Sequence, residues 1–190
     1  LANASLSFEF LTTEDDNKLS VIIEKLENYN KIRQAKCLET YEEIIDNLKK
    51  EKEDIKKLPA VVLINPDWHI GVIGIVASKI VEEFDKPCFL MTVDENNQAR
   101  CSIRSNETIN VYKVLKENED LFLGFGGHAL AGGFSADLNK VSFDKLKAAI
   151  FKTIKAQAQD VKANDTLLAD VELTPDDITK DLLETIKKLE

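Results

Sequence analysis

Apolar residues recur every three or four positions along the first third of the chain, then give way to short continuous runs. From Thr13 to Leu58 there is neither glycine nor proline, and lysine and glutamate dominate. Leu19, Ile22, Leu26 and Tyr29 keep a helical spacing; after a phase shift, Tyr41, Ile45, Leu48 and Ile55 keep another. Thr13, followed by Glu14, Asp15 and Asp16, puts acid at the positive end of a helix dipole. The pattern therefore predicts one long helix, or two nearly collinear ones, over 13–58. Such an element spans roughly 60 Å and reads as a rigid strut between an upstream domain and the one that follows. A coiled-coil dimer arm is the alternative; the strut predicts a monomer. Residues 1–12 show no clear pattern and read as the tail of the upstream domain.

Pro59 ends the helical pattern. AVVLIN (60–65) is a β-branched apolar run typical of a buried strand. HIGVIGIVASKIVEEF (69–84) turns helical, with Ile73, Val76, Ala77, Ile80 and Val81 on one face. Gly71 and Gly74 fall in its first turns, where backbone can approach a neighbour or a ligand. PCFLMTVD (87–94) reads as a second buried strand, DENN (94–97) as a turn, and QARCSIRS (98–105) as the antiparallel return. INVYKVLKE (109–117) predicts a short helix, a glycine-rich loop follows, and LAGGFSAD (130–137) leaves that loop as a strand. Ser142 caps a helix running to about residue 160. Together these elements predict an α/β domain over 59–161, a mixed sheet flanked by helices. KANDTLLADVELTPDDI (162–178) reads as a linker, a strand and a new helix start at Thr174-Pro175, so 162–190 is expected to open a further domain.

Composition adds constraints. The chain has 190 residues, 44% apolar and 31% charged, enough for a real core. No run of about 18 apolar residues exists, so no membrane partner is expected, and no secretory leader opens the sequence. The chain starts on Leu1 and stops at Glu190 within a helical pattern, so it is expected to be a fragment. Cys37, Cys88 and Cys101 show no CxxC spacing, which points away from a disulfide framework or zinc site and towards the cytoplasm. A net charge of −9 argues against bulk attraction to nucleic acid, so any such contact must be local. Arginine is scarce beside lysine, yet Arg100 and Arg104 share one short stretch, and a guanidinium fork suits bidentate phosphate contact.

Candidate chemistry lies in three places. Five of the seven glycines fall between Gly124 and Gly133, around His128. Successive N–H groups in such a stretch can form an anion-binding nest, with His128 as donor or acid; a tight turn is the plain alternative. In CSIRS, strand alternation puts Ser102 and Arg104 on one face, either as phosphate donors or as solvated surface groups. Trp68 and His69 sit at a strand-to-helix junction, where open α/β sheets place ligands. Trp68 suits base stacking or, more commonly, core packing. Neither a metal-binding constellation nor a Ser/His/Asp arrangement stands out.

DWHIGVIGIVASKI, CSIRS and FGGHALAGG, in this order, resemble the DHHA1 domain of the DHH/DHHA1 phosphoesterases, and most closely of the RecJ type of single-strand-specific 5′→3′ DNA exonuclease. The resemblance covers residues 60–160 and extends to the flanks. It implies that 1–12 is the tail of a DHH domain, 13–58 the connector helix, and 162–190 the start of an OB-type domain. It further implies a role in DNA repair and recombination. In such proteins the DHH domain holds two Mn²⁺ or Mg²⁺ ions, so no cofactor is expected in this fragment, which is expected to be inactive alone. Carried over by position, Arg104, Ser102 and Ser105 would bind the backbone of single-stranded DNA, with Arg100, His69 and Trp68 beside them. Gly126, Gly127 and His128 would face the phosphate near the scissile bond. Asp67, Ile70, Lys79, Gly132 and Cys101 depart from the commoner pattern. The rival readings are a phosphodiesterase of short oligonucleotides or cyclic dinucleotides, a nucleic-acid-binding module like that of alanyl-tRNA synthetases, and a structural dimerisation domain.

Overall fold

Strands β1 (Val61–Ile64) and β2 (Cys88–Val93) lie side by side and parallel in a computed structural model that describes residues 4–50, 55–160 and 171–188. Helix α3 (Ile70–Phe84) makes the crossover between them, as a parallel pair requires. Its start is capped by His69 and its end by Asp85 in the left-handed region, φ 51°. The chain then turns on Asp94, whose carboxylate accepts from the N–H groups of Asn96 and Gln98, and β3 (Gln98–Arg104) returns antiparallel. α4 (Val111–Glu117), β4 (Gly124–Gly127), β5 (Ala131–Asp137) and α5 (Phe143–Asp160) complete the α/β body. The sheet is mixed, in the order β1-β2-β3-β5-β4.

Each face of the sheet has its own core. Ala99, Cys101 and Ile103 of β3 and Phe134 and Ala136 of β5 point to one side, where they meet Val114 and Leu115 of α4 and Leu146, Ile150 and Ile154 of α5. Ser142 accepts from Lys145 N–H at 3.3 Å at the head of α5, the cap that the sequence predicts. On the other side, Val61, Cys88 and Leu90 pack against Ile73, Val76, Ala77 and Ile80 of α3. Cys88 and Cys101 are free thiols in these two cores, and burial pushes both thiols well up, which makes them inert packing groups.

The long helix differs from its expected bounds. α2 runs Asp16–Lys50, 35 residues, a length of about 50 Å. Asp15 rather than Thr13 caps it, because its Oδ1 accepts from Asn17 N–H at 2.9 Å. Residues 51–54 lie outside the described residues, and Ile55–Lys57 form a 3₁₀ turn. Residues read as an unpatterned tail form α1 (Ala4–Thr12), joined to α2 by a Glu9–Lys18 ion pair at 2.6 Å. The strand expected near 167–173 falls mostly outside the described residues, and 171–173 are not extended into a ladder. Thr174 and Asp177 form a capping box, followed by α6 (Lys180–Lys187).

The second half of α2 is fastened to the α/β body. Ile44 and Leu48 are buried with Trp68 and α3. Glu43 accepts from Trp68 Nε1 at 3.0 Å and from Asn65 Nδ2 at 2.7 Å. Tyr41 donates its hydroxyl to Glu83 while the Lys79 ammonium lies 3.8 Å from the centre of its ring; desolvation and that carboxylate raise the Tyr41 phenol to about 12. Replacing Glu43 with alanine removes the acceptor of two donors at once. Glu43→Ala is expected to lower unfolding free energy by about 1–2 kcal/mol in chemical denaturation, and an unchanged midpoint and slope would contradict this fastening.

Candidate nucleic-acid interface

In antiparallel pairs, residues directly opposite one another share a face. The register therefore defines three rows across one side of the sheet. Val61, Cys88, Arg104 and Ala131 form the first. Leu63, Leu90, Ser102, Gly133 and Gly126 form the second. Thr92, Arg100, Ser135 and Gly124 form the third. In the first two rows the β1–β2 half is apolar and packed with α3 and α2. On the β3–β5–β4 half every residue is glycine, alanine, serine or arginine, and none is fully buried.

Helix α3 forms the wall of this shelf. Its Gly74 lies so close to β3 that an added Cβ would stand 2.8 Å from Ser102 Oγ and 3.3 Å from Arg104 Nη2. Ser102 and Arg104 thus project together from β3, as alternation predicts, towards the helix backbone. Arg104 donates one guanidinium N–H to the Ile103 carbonyl at 2.8 Å. Among the described residues, no carboxylate pairs with Arg100 or Arg104. Two unpaired guanidinium groups on one strand face are a ready site for an anion.

The glycine-rich segment is an edge strand, which differs from the expected loop. Gly124–Gly127 pair residue by residue with β5, so the sheet ladder, rather than a nest, organises this backbone. Gly127 has φ +151°, and a Cβ there would stand 2.4 Å from both Ala131 O and Gly132 Cα, so the hairpin itself requires glycine. Gly126 is the opposite case. An added Cβ would meet no heavy atom within 4 Å, so no described neighbour excludes a side chain there. The hairpin turn is pinned: Ser105 N–H bonds Leu130 O at 2.9 Å, and Val111 N–H bonds Ala129 O at 2.8 Å. His128 is exposed on it and donates its backbone N–H to Ala131 O at 2.7 Å. Ala131 is also the register partner of Arg104, so His128 and Arg104 flank the same end of the shelf.

Arg100, Ser102, Arg104, Gly126 and His128 are therefore brought to one side or end of the sheet. Ser105 is 9% exposed and gives its hydroxyl to Ile109 O at 3.0 Å, beneath the hairpin. Trp68 is 6% exposed, with its indole in the α2–α3 core. His69 accepts Gly71 N–H on Nδ1 at 2.9 Å, a cap that leaves Nε2 to carry the proton of the neutral ring. The sequence reading missed Gly124, Gly133 and Ser135 as shelf residues. The signal was present: small residues recur at every second position along both strands.

Residues 56–159 match the model of the DHHA1 domain. This chain belongs to the DHHA1 family. It is 34% identical over 137 residues to the single-stranded-DNA-specific exonuclease RecJ of Thermus thermophilus, covering 72% of this chain and 19% of that protein. To RecJ of Bacillus subtilis it is 30% identical over 136 residues, 71% of this chain and 17% of the relative. To RecJ of Haemophilus influenzae it is 26% identical over 194 residues, 100% of this chain and 33% of the relative. The chain thus spans a third or less of each of these relatives. The crystal structure of Thermus thermophilus RecJ in complex with Mg²⁺ superposes with a TM-score of 0.73 at 28% identity, covering 97% of this chain and 27% of that one. RecJ bound to manganese gives 0.68 at 28% identity, covering 84% of this chain and 39% of that one. The mixed sheet and its helices are those of a RecJ DHHA1 domain. No helix among the described residues is long and apolar enough to cross a membrane.

The two neighbouring glycines separate fold from site. Gly127→Ala is expected to cost about 1–3 kcal/mol of stability through backbone strain and overlap, while Gly126→Ala stays within about 0.5 kcal/mol of the parent. Equal denaturation midpoints for the two variants would contradict the assignment.

Proposed function

We propose that this chain is the substrate-gripping DHHA1 portion of a RecJ-type exonuclease that degrades single-stranded DNA from the 5′ end during DNA repair and recombination. The observation that carries this reading is the bare half of the sheet. Arg100, Ser102 and Arg104 stand in a row on β3 beside a floor of glycine, alanine and serine. Such a floor lets a sugar-phosphate backbone come close, and the open space over Gly126 leaves room for it. Arg104 and Arg100 supply charge-assisted donors at positions where no described carboxylate offers them a counter-ion. His128, exposed at the end of the same shelf, would donate to a phosphate oxygen.

The expected contacts sort by role. Ser102, Arg104 and Arg100 grip phosphates, and Gly126 gives clearance. Gly127 shapes the hairpin that presents His128. His69 and the buried Trp68 act one step back, by fixing the start of α3 and so the wall of the shelf. Ser105 likewise supports the hairpin turn. None of these contacts reads a base edge, which matches a nuclease that travels along its substrate.

RecJ structures are described with Mg²⁺ and Mn²⁺. Among the described residues no group of three or more His, Cys, Asp and Glu gathers to hold a metal ion, so these residues do not fit a metal centre and no catalytic step is assigned to them. Ions that activate water belong, on this reading, to a DHH domain of the parent protein, with an OB-type domain as its other in-chain partner. The chain acts as a monomer in the cytoplasm, and α2 serves as the connector.

Two outcomes follow. Arg104→Ala is expected to weaken binding of a labelled single-stranded oligonucleotide by about 1–3 kcal/mol in fluorescence anisotropy; equal affinity at several salt concentrations would refute the role. The 190-residue chain is expected to leave single-stranded DNA intact with or without Mn²⁺. Nuclease activity that copurifies with the chain and vanishes in His128→Ala would overturn the division of labour.

A further inference from the structure

We infer that Gly74 is a positioning residue for the phosphate grip, a role that rests on the proposed binding of single-stranded DNA by the β3 shelf. The three atoms nearest to a Cβ at position 74 are Ser102 Oγ at 2.8 Å, Arg104 Nη2 at 3.3 Å and Arg104 Cζ at 3.8 Å. All three are the tips of side chains that carry the proposed contacts. No atom of β3's backbone stands among them. The helix therefore approaches the strand to a distance set by these two polar tips.

The Arg104 guanidinium is consequently held from two sides. One N–H is spent on the Ile103 carbonyl at 2.8 Å, while Nη2 lies 3.3 Å from where a Cβ on Gly74 would stand. A fork confined in this way presents its remaining donors in one direction, which reduces the ordering cost of meeting a phosphate. A methyl group at 74 overlaps Ser102 Oγ and crowds Nη2. Both are ends of side chains rather than backbone, so the fold absorbs the change by displacing them, at the cost of the Arg104–Ile103 hydrogen bond and the arrangement of the grip.

Position 74 also lies inside α3, where alanine is a better helix former than glycine. The two effects have opposite signs. Gly74→Ala helps the helix and harms the site, a combination that a purely structural glycine does not produce.

The test compares the parent 190-residue chain with Gly74→Ala, Arg104→Ala, Ser102→Ala and the Gly74→Ala/Ser102→Ala double variant, using thermal melts and anisotropy with a single-stranded oligonucleotide across a salt series. Gly74→Ala is expected to melt at or above the parent temperature and to bind about fivefold or more weakly. Its slope of log affinity against log salt is expected to shrink by about 0.7, the equivalent of one phosphate contact. In the Ser102→Ala background the nearest obstruction is gone, so adding Gly74→Ala costs less affinity than it does in the parent. If Arg104→Ala weakens binding and Gly74→Ala leaves affinity and slope unchanged, the positioning role is wrong while the shelf stands as the DNA path. If Arg104→Ala also has no effect, the shelf reading fails and takes this inference with it. A Gly74→Ala melting point well below the parent's would show that the fold, rather than the grip, needs glycine there, and would overturn the proposal.

Discussion

Helix α3 lies against β3 so closely that a side chain at residue 74 would displace the tips of Ser102 and Arg104. Much else depends on that contact. α3 belongs to the β1–β2 crossover and covers the apolar half of the sheet. Where it reaches β3, its packing partners change from Leu90 and Cys88 to Ser102 and Arg104. From that line outward the sheet face carries only small or cationic residues. The same helix thus closes a core on one side and walls the proposed binding shelf on the other.

The opposite face makes this asymmetry affordable. Cys101, Ile103, Phe134 and Ala136 bury the undersides of β3 and β5 against α4 and α5, so the bare upper face needs no cover for stability. Even the hairpin bearing His128 is tied down by backbone hydrogen bonds to Ser105 and Val111. The result is a platform packed on one face and open on the other. Electrostatics fit the same picture. With a net charge of −9, the chain has little general attraction for a polyanion, so the proposed binding rests on two arginines placed on one strand. A local grip of the kind proposed would hold a substrate along one path instead of anywhere on the surface.

Particular residues show what the sequence makes legible. Strands β1 and β2 and helix α3 announce themselves because burial on both sides leaves continuous or periodic apolar runs. The alternation of β3 is equally readable, since Ala99, Cys101 and Ile103 alternate with polar neighbours. β4 is not readable in this way. Three of its four residues are glycine, so there are few side chains to show a period, and local rules read it as a loop. α1 escapes notice because Phe8 and Leu11 stay exposed, leaving no buried stripe to detect. Trp68 and Ser105 illustrate a different limit. A tryptophan or serine beside a motif can face a ligand or the interior, and only the hydrogen bonds to Glu43 and Ile109 reveal which direction each takes. The roles of Gly126 and Gly127 are likewise inseparable in sequence, since the difference between them is empty space against a backbone overlap of 2.4 Å.

If nucleic acid runs across the bare half of the sheet, as proposed, amide chemical-shift mapping of the ¹⁵N-labelled chain with a short single-stranded oligonucleotide will trace that path residue by residue. Shifts are expected to concentrate at Arg100, Ser102, Arg104, Gly124, Gly126, His128, Gly133 and Ser135, with Gly74 of α3 at the border. Shifts centred instead on α5, on the buried side of the sheet or on the first half of α2 would contradict it.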